Sequence, residues 1–396
     1  MILTSKQEEG LRIAVDRYQA GEKYTVISGY AGSGKSTLIK FIIDALEVNK
    51  DVDVCYVAFT GKAATVLQQK GCPNATTAHK LLYYAKPMPN GNFKFEKKKR
   101  LECKIVVVDE ISMLPKSMWN LLLTHKVYIL AAGDPGQLPP IDKDEDNHVL
   151  DHPHIFLDEI MRQAQNSEII RLSMWVREGK SIDSFPFVKE EVDIYPREAL
   201  VSGMYNWADQ IICATNQTRD NINNYVREIK GYGKEPEIGD KVISLCNHWE
   251  YYSASGNWVL TNGSIGTIKE YSKRKIYIPS FIYKGPIDYM FSELELEDGD
   301  LFVNTPIDYK CLLNGGTPTL NKKQLYLFNK YEEQINEWPP FDFVYAYAIT
   351  CHKAQGSEWD KVLVFEEDFP KIPLEHKQWL YTAITRASKK VVVIKK

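Results

Sequence analysis

"YTVISGYAGSGKSTLIKFIIDAL", residues 24–46, decides the fold. Its first five residues are an apolar run of the kind buried in a parallel sheet. Gly29 to Ser36 fit G-x-x-x-x-G-K-[ST], and the residues after Ser36 carry apolar side chains at helical spacing. Strand, glycine loop and helix in that order are the context a phosphate loop requires. Backbone N–H groups around Gly32, Ser33 and Gly34 would wrap phosphate oxygens, with the helix N-terminus facing the anion. Lys35 would reach the β- and γ-phosphates, Ser36 would hold Mg²⁺, and Thr37 completes the first helical turn. Chance produces this pattern in a chain of this length on the order of one time in a hundred, so a bare glycine turn is the weaker reading.

A phosphate loop needs a metal-holding acid at the tip of a neighbouring strand. "CKIVVVDEISML" supplies it: "KIVVV" reads as a buried strand and Asp109-Glu110 follow at its C-terminal end, where ligands of open α/β sheets gather. Asp109 would serve Mg²⁺, and Glu110 would activate the attacking water. The alternative is an acidic pair at a helix start. "VYILAAGDPGQLPP" repeats the pattern, an apolar strand ending in Asp134 and Gln137. As a third strand tip it brings Gln137 near a γ-phosphate.

The chain has 396 residues, 44% hydrophobic and 26% charged. Those values fit a globular protein of two or three domains. No apolar run reaches the ~20 residues of a membrane span, and charge interrupts the N-terminal segment where a signal peptide would be apolar. A cytoplasmic protein without membrane contact is expected. Seven scattered cysteines without a CxxC pair argue against a disulfide framework or a zinc ribbon. With a net charge of −3, any nucleic-acid binding has to come from a local groove. "KFEKKKR" at 94–100 and "SKRK" at 272–275 are the basic clusters.

"TCHKAQGSEWD", residues 350–360, suits a metal site, a thiol nucleophile or a nucleic-acid loop when taken alone. Its order among the other motifs resolves it. "GYAGSGKST", "AFTGKAAT", "TTAHKLL", "VVVDEISML", "AAGDPGQLPP", "MRQ", "TCHKAQGSEWD" and "YTAITRA" follow one another as in the superfamily 1B helicases, and the chain resembles the phage Dda helicases and RecD over nearly its whole length. The resemblance implies two RecA-like α/β domains with ATP between them and single-stranded DNA across their tops. It implies that Gln7 in "LTSKQ" reads adenine, and that Arg162 and Arg386 are arginine fingers from the second domain. A guanidinium fork that arrives on closure is suited to the charge of phosphoryl transfer. It further implies that Thr60, Lys62, His79, Thr215, Asn216, Thr350, His352 and Lys353 contact DNA. Gln355, Gly356 and Glu358 would relay the nucleotide state, leaving Cys351 an incidental thiol.

The expected organisation is a first RecA-like domain over 1–160 and a second over 161–240 and 341–396. The first carries a hairpin insert at about 84–102, turning at Asn90-Gly91. In Dda-like enzymes a hairpin here is the pin that splits the duplex, with Phe95 stacking on the end base pair; the other reading of Phe95 is a half-buried surface residue. Residues 241–340 read as short β runs between Gly, Asn and Asp turns. Within them "LNKKQLYLFNKYEEQINEW", residues 320–338, reads as a charged amphipathic helix; in the family this insert is an SH3-like barrel, with a helical arm over 305–340 bracing the pin. The resemblance implies an ATP-dependent helicase moving 5′ to 3′ on single-stranded DNA, a polarity that comes from the resemblance alone, working as a monomer on single-stranded and forked DNA alongside single-strand-binding or replication and recombination proteins. A translocating ATPase that does not unwind is the alternative. A small-molecule P-loop kinase is a third reading, and it would not need Arg386.

Overall fold

The computed structural model describes residues 3–72, 74–87, 93–139, 145–161, 166–188, 190–256, 258–297 and 299–396. Arg162 and the Asn90-Gly91 turn lie outside the described residues, and so do the side chains of Lys62 and Phe95. Among the described residues no helix is long and apolar enough to cross a membrane.

Two parallel sheets organise the chain. The first runs Thr76–Thr77, Val54–Ala58, Ile105–Val108, Tyr128–Gly133, Tyr24–Gly29, Ile155–Leu157, with every neighbouring pair parallel. Its central strands are buried along their whole length, because helices cover both faces. One layer packs Leu38, Ile42 and Ile43 of the helix Lys35–Ala45 against Ile27, Ile105 and Leu130. The other packs Trp119 and Leu122 against Val106 and Ile129. Parallel pairing puts all strand ends on one edge, so the loops after Gly29, Val108 and Gly133 meet there.

The second sheet runs Ala348–Thr350, Gln210–Cys213, Trp359–Phe365, Ala387–Ile394, Val192–Tyr195, again all parallel. Between its strands the chain leaves for an antiparallel sheet of Leu301–Asp308, Pro286–Glu295, Ile265–Tyr277, Lys241–Ser244 and Phe343–Tyr345. Phe343–Tyr345 still belongs to that insert, so the parallel sheet resumes at Ala348 rather than near 341. Arg227 secures both crossings. It bonds buried Asp240 at 3.0 and 3.2 Å and lies 4.2 Å from the Tyr345 ring centroid, while Tyr347 donates to Asp240 at 2.9 Å.

Two smaller pieces project from these sheets. Tyr83–Pro87 and Phe93–Lys97 pair antiparallel, with Ala85 opposite Phe95. His248–Tyr252 and Val259–Leu260 form a second hairpin, within the insert. The helix expected near 320–338 is two pieces, Lys322–Lys330 and Glu332–Ile335, broken at Tyr331, whose ring meets Phe281 edge-on at 5.0 Å. Phe328 is fully buried with Ile278, Ile287 and Tyr289, so this segment is packed on the insert's own core.

Candidate nucleotide cleft and nucleic-acid groove

The phosphate loop has the backbone its glycines foretell. Gly32 and Gly34 have φ of 76° and 81°, a region open to glycine at no steric cost. A Cβ on Gly34 would stand 2.4 Å from Gln7 Nε2. Gln7 is buried against the loop: its amide donates to Ser33 O at 3.5 Å and Gly34 O at 3.4 Å, and its Oε1 accepts from Thr4 N at 3.1 Å in a capping box. Lys35 Nζ donates to Gly29 O at 2.7 Å and Tyr30 O at 3.0 Å. Burial lowers its pKa below the usual lysine value, against the opposite pull of Asp134, Asp109 and Glu110. Ser36 and Thr37 follow on the first turn of the helix.

The acids stand across from this lysine. Asp109 Oδ1 accepts from Glu110 N at 3.1 Å. Glu110 has φ of 51°, an uncommon conformation for a residue with a Cβ, and its carboxylate opens toward the cleft with 25% of its side chain accessible. Burial pushes both carboxyls above the ordinary carboxylate range; Lys35 opposes this at Asp109, and Arg386 opposes it most at Glu110. Ser33 Oγ and Gln137 Oε1 are buried without a hydrogen-bond partner among the described residues. The orphaned Ser33 hydroxyl, within the glycine loop, can donate to a polyphosphate, while the Gln137 amide oxygen can only accept, as from a water. Among the described residues no group of three His, Cys, Asp or Glu could cage a metal. Ser36 and Asp109 suit Mg²⁺, which takes few protein ligands and shares phosphate oxygens.

The second domain closes the cleft with the helix Pro373–Ile384 and the residues after it. Arg386 is buried, donating to Thr382 O at 3.1 Å and Ser357 O at 3.2 Å, and its Nη1 is 3.8 Å from Glu110 Oε1. Tyr381 OH accepts from the phosphate-loop amide of Ala31 at 2.9 Å and donates to Asp134 Oδ2 at 2.6 Å. Leu138 is held from both sides, its N by Thr382 Oγ1 at 3.0 Å and its O by Gln355 Nε2 at 3.0 Å. A Cβ on Gly356 would stand 2.7 Å from Ala63 Cβ. Arg177 Cζ lies 3.6 Å from the centroid of the Tyr30 ring. Glu358 is exposed.

Above the cleft runs a groove with a cavity of about 780 Å³. Thr60 and His79 line it from the first domain, and Thr215, Asn216, Thr350, His352 and Lys353 from the second. Two helices of useful length start there. Thr60 caps Gly61–Gln69 through Ala63 N at 3.2 Å, and Thr215 caps Asn216–Ile229 through Thr218 N at 3.2 Å. The Glu367 carboxylate also sits at the second start, accepting from Ala214 N at 2.6 Å, Thr215 N at 3.3 Å and Thr215 Oγ1 at 3.2 Å. Lys353 Nζ bonds Asn262 Oδ1 of the insert. Burial lowers the pKa of both His352 and Lys353.

Lys35, Asp109, Glu110, Gln137 and Arg386, widely separated in sequence, thus meet in one cleft. Cys351 is buried with its thiol pushed up by burial, which makes it a poor nucleophile. Sequence reasoning missed Tyr381, Thr382, Arg177 and Glu367. The hydroxyls of Tyr381 and Thr382 lie within the quoted "YTAITRA", where only the arginine had stood out. Nothing in the sequence marks Arg177, whose partner Tyr30 lies across a domain boundary, or Glu367, whose partners are about 150 residues away in the same domain.

Residues 3–200 match the AAA domain family, and residues 345–394 match the UvrD-like helicase C-terminal domain. The chain is 28% identical over 383 residues to the ATP-dependent RecD2 DNA helicase of Deinococcus radiodurans, covering 93% of this chain and 46% of that protein. It therefore spans about half the length of that relative. It is 23% identical over 446 residues to the ATP-dependent DNA helicase dda of Enterobacteria phage T4, covering 97% of each. A solved structure of Pif1 helicase, described for DNA unwinding at forked double-stranded DNA by two coordinating helicases, superposes with a TM-score of 0.58 at 18% identity, covering 99% of this chain and 92% of that one. That likeness gives the fold, two RecA-like domains. With half its length matched to the AAA domain family and more than nine-tenths of it aligned with these two helicases, the chain belongs to the superfamily 1B helicases and resembles phage Dda helicase and RecD.

Proposed function

We propose that the protein is an ATP-dependent DNA helicase that moves 5′ to 3′ on single-stranded DNA and unwinds duplex. The observation that carries the reading is the cleft, where a phosphate loop, two half-buried acids and Arg386 converge beneath a groove lined by both domains. Lys35 leaves the Gly29 and Tyr30 carbonyls to donate to the β- and γ-phosphates. Glu110 accepts a proton from the attacking water, and Gln137 orients that water, accepting its other hydrogen at the unpartnered amide oxygen. Mg²⁺, on Ser36 and Asp109, supplies neutralising charge to the phosphate oxygens when bound. Arg386 stabilises charge on the transferring phosphoryl, and Arg162 is the second finger. Gln7 stands beside the loop as the adenine reader. Gln355 and Gly356 press on the first domain and relay the nucleotide state, with Glu358 beside them.

Single-stranded DNA takes the groove. Thr60, Thr215 and Asn216 offer helix-start donors to phosphates, and Lys62, His79, Thr350, His352 and Lys353 complete the track. The strand pair Tyr83–Pro87 and Phe93–Lys97 belongs to the pin, with Phe95 as its wedge, and the antiparallel insert is the SH3-like domain. The direction of travel rests on the likeness to Dda helicase and RecD. The test is ATP-dependent strand separation on forked duplexes carrying a 5′ or a 3′ tail. Separation with the 5′ tail alone is expected. Separation needing a 3′ tail reverses the direction, and DNA-stimulated hydrolysis without separation leaves a translocase.

A further inference from the structure

Beside the groove lies a second cavity of about 240 Å³, between the first domain and the insert hairpin. Rings line it from both sides: His79 and Tyr83 from the first domain, Tyr252 and Trp258 from the insert. Gly61, Thr77 and His79 line both cavities, so groove and slot adjoin along a shared wall. The first-domain rings form a ladder out of the groove, Phe59 to His79 at 6.3 Å and His79 to Tyr83 at 6.2 Å between centroids. Tyr83 is also the first residue of the hairpin strand Tyr83–Pro87. The insert sits this close because residue 61 is glycine: a Cβ there would meet Thr261 Oγ1 at 2.1 Å. Tyr252 keeps 56% of its surface exposed.

We propose that this slot binds one nucleobase of the strand held in the groove, stacked on Trp258 and Tyr83 at the root of the hairpin. The proposal rests on the reading that the groove holds single-stranded DNA. Opposed rings suit a base because every base has a π-face, and such stacking tolerates any sequence. The Lys80 side chain, exposed at the rim, is suited to the phosphate next to that base. The adjoining walls put the slot within reach of a base tethered to the groove's strand. The slot would make the insert a wall of the DNA path.

The experiment is an abasic scan. The full chain binds a series of fluorescent single-stranded oligonucleotides, each lacking one base at a different position, with Kd read by anisotropy at fixed salt. In the unmodified protein one position should weaken binding about 5- to 150-fold, the range of a single base–aromatic stack. In Trp258→Ala the penalty at that position should fall to near unity while the rest of the profile stays. Trp258→Phe should restore it. A Trp258→Ala protein with the full profile, or an unmodified protein with no sensitive position, overturns the slot. If Trp258→Ala loses its thermal transition, Tyr252→Ala, at an exposed ring, is scanned by the same criterion. Failure of every oligonucleotide to bind the unmodified protein would sink the groove reading itself, and the slot with it.

Discussion

At the scale of single residues, the cleft holds charges that the fold would rather leave neutral. Burial raises the carboxyls of Asp109 and Glu110 and lowers Lys35. A group whose folded pKa is raised contributes stability at low pH that is lost as pH rises through that pKa. Glu110→Gln should therefore raise Tm at pH 8, and the gain should vanish below the unfolded glutamate pKa of ~4.3. Turnover should collapse while nucleotide binding, read by a fluorescent ATP analogue, persists. Wild-type hydrolysis in this variant would remove Glu110 from the general-base role. Its raised pKa also places the acid limb of the hydrolysis profile above the ordinary carboxylate range. Arg386→Ala should lower DNA-stimulated hydrolysis by ~10³–10⁵, the worth of an arginine finger, and ATP binding far less. Lys35, Asp109 and Glu110 were legible beforehand, because each follows a strand in a motif whose spacing the chemistry dictates, while Arg386 was marked only by the resemblance of "YTAITRA" to the family. Tyr381 was not. A tyrosine in an apolar helix reads as core, and only the tertiary fold brings its hydroxyl to Ala31 and Asp134.

At the scale of elements, the sheets were legible and their edges less so. "IVVV" and "VYILAA" are unbroken apolar runs and "YTVIS" is nearly one, as strands covered on both faces must be. The end of the insert was misplaced because "FVYAYAI" is equally apolar in either sheet; its register with Lys241–Ser244 is a tertiary choice. The single helix expected after Leu320 overlooked the break at Tyr331, since amphipathic spacing continues through it. Glu367 yields a prediction of its own. Its carboxylate holds donors at the start of the helix Asn216–Ile229, the same groups a phosphate would use. Glu367→Gln should tighten single-stranded DNA binding about 2- to 5-fold, from ~0.3–1 kcal/mol at a helix terminus, while lowering Tm. Weaker binding, measured at fixed salt, would make the carboxylate a support for the groove instead of a competitor. For the hairpin, Phe95→Ala should damage unwinding more than single-strand ATPase activity. Equal loss of both, together with Tm, would return Phe95 to a structural part.

At the scale of the molecule, a net charge of −3 means affinity for DNA comes from the groove and not from bulk attraction. If Lys97, Lys98, Lys99 and Arg100 lie on the phosphate path, neutralising them should flatten the salt slope of single-strand binding by ~0.7 for each phosphate left without its cation. An unchanged slope would leave them a solvated run. Arg227 ties both crossings of the insert to the second domain, and removing one partner of a buried pair costs about 3–5 kcal/mol. Arg227→Ala should accordingly lower Tm sharply, and a loss confined to DNA binding would show that the insert stands without it. The same interrupted sheet also sets an order of events during synthesis. Gln210–Cys213 has as neighbours Ala348–Thr350 and Trp359–Phe365, about 135 residues later in the chain. At ~5–20 residues per second on the ribosome, that strand waits on the order of ten seconds with both edges unpaired. The insert is made in full during the wait, so the guest is free to fold before its host and deliver the late strands to a partner that has been standing open.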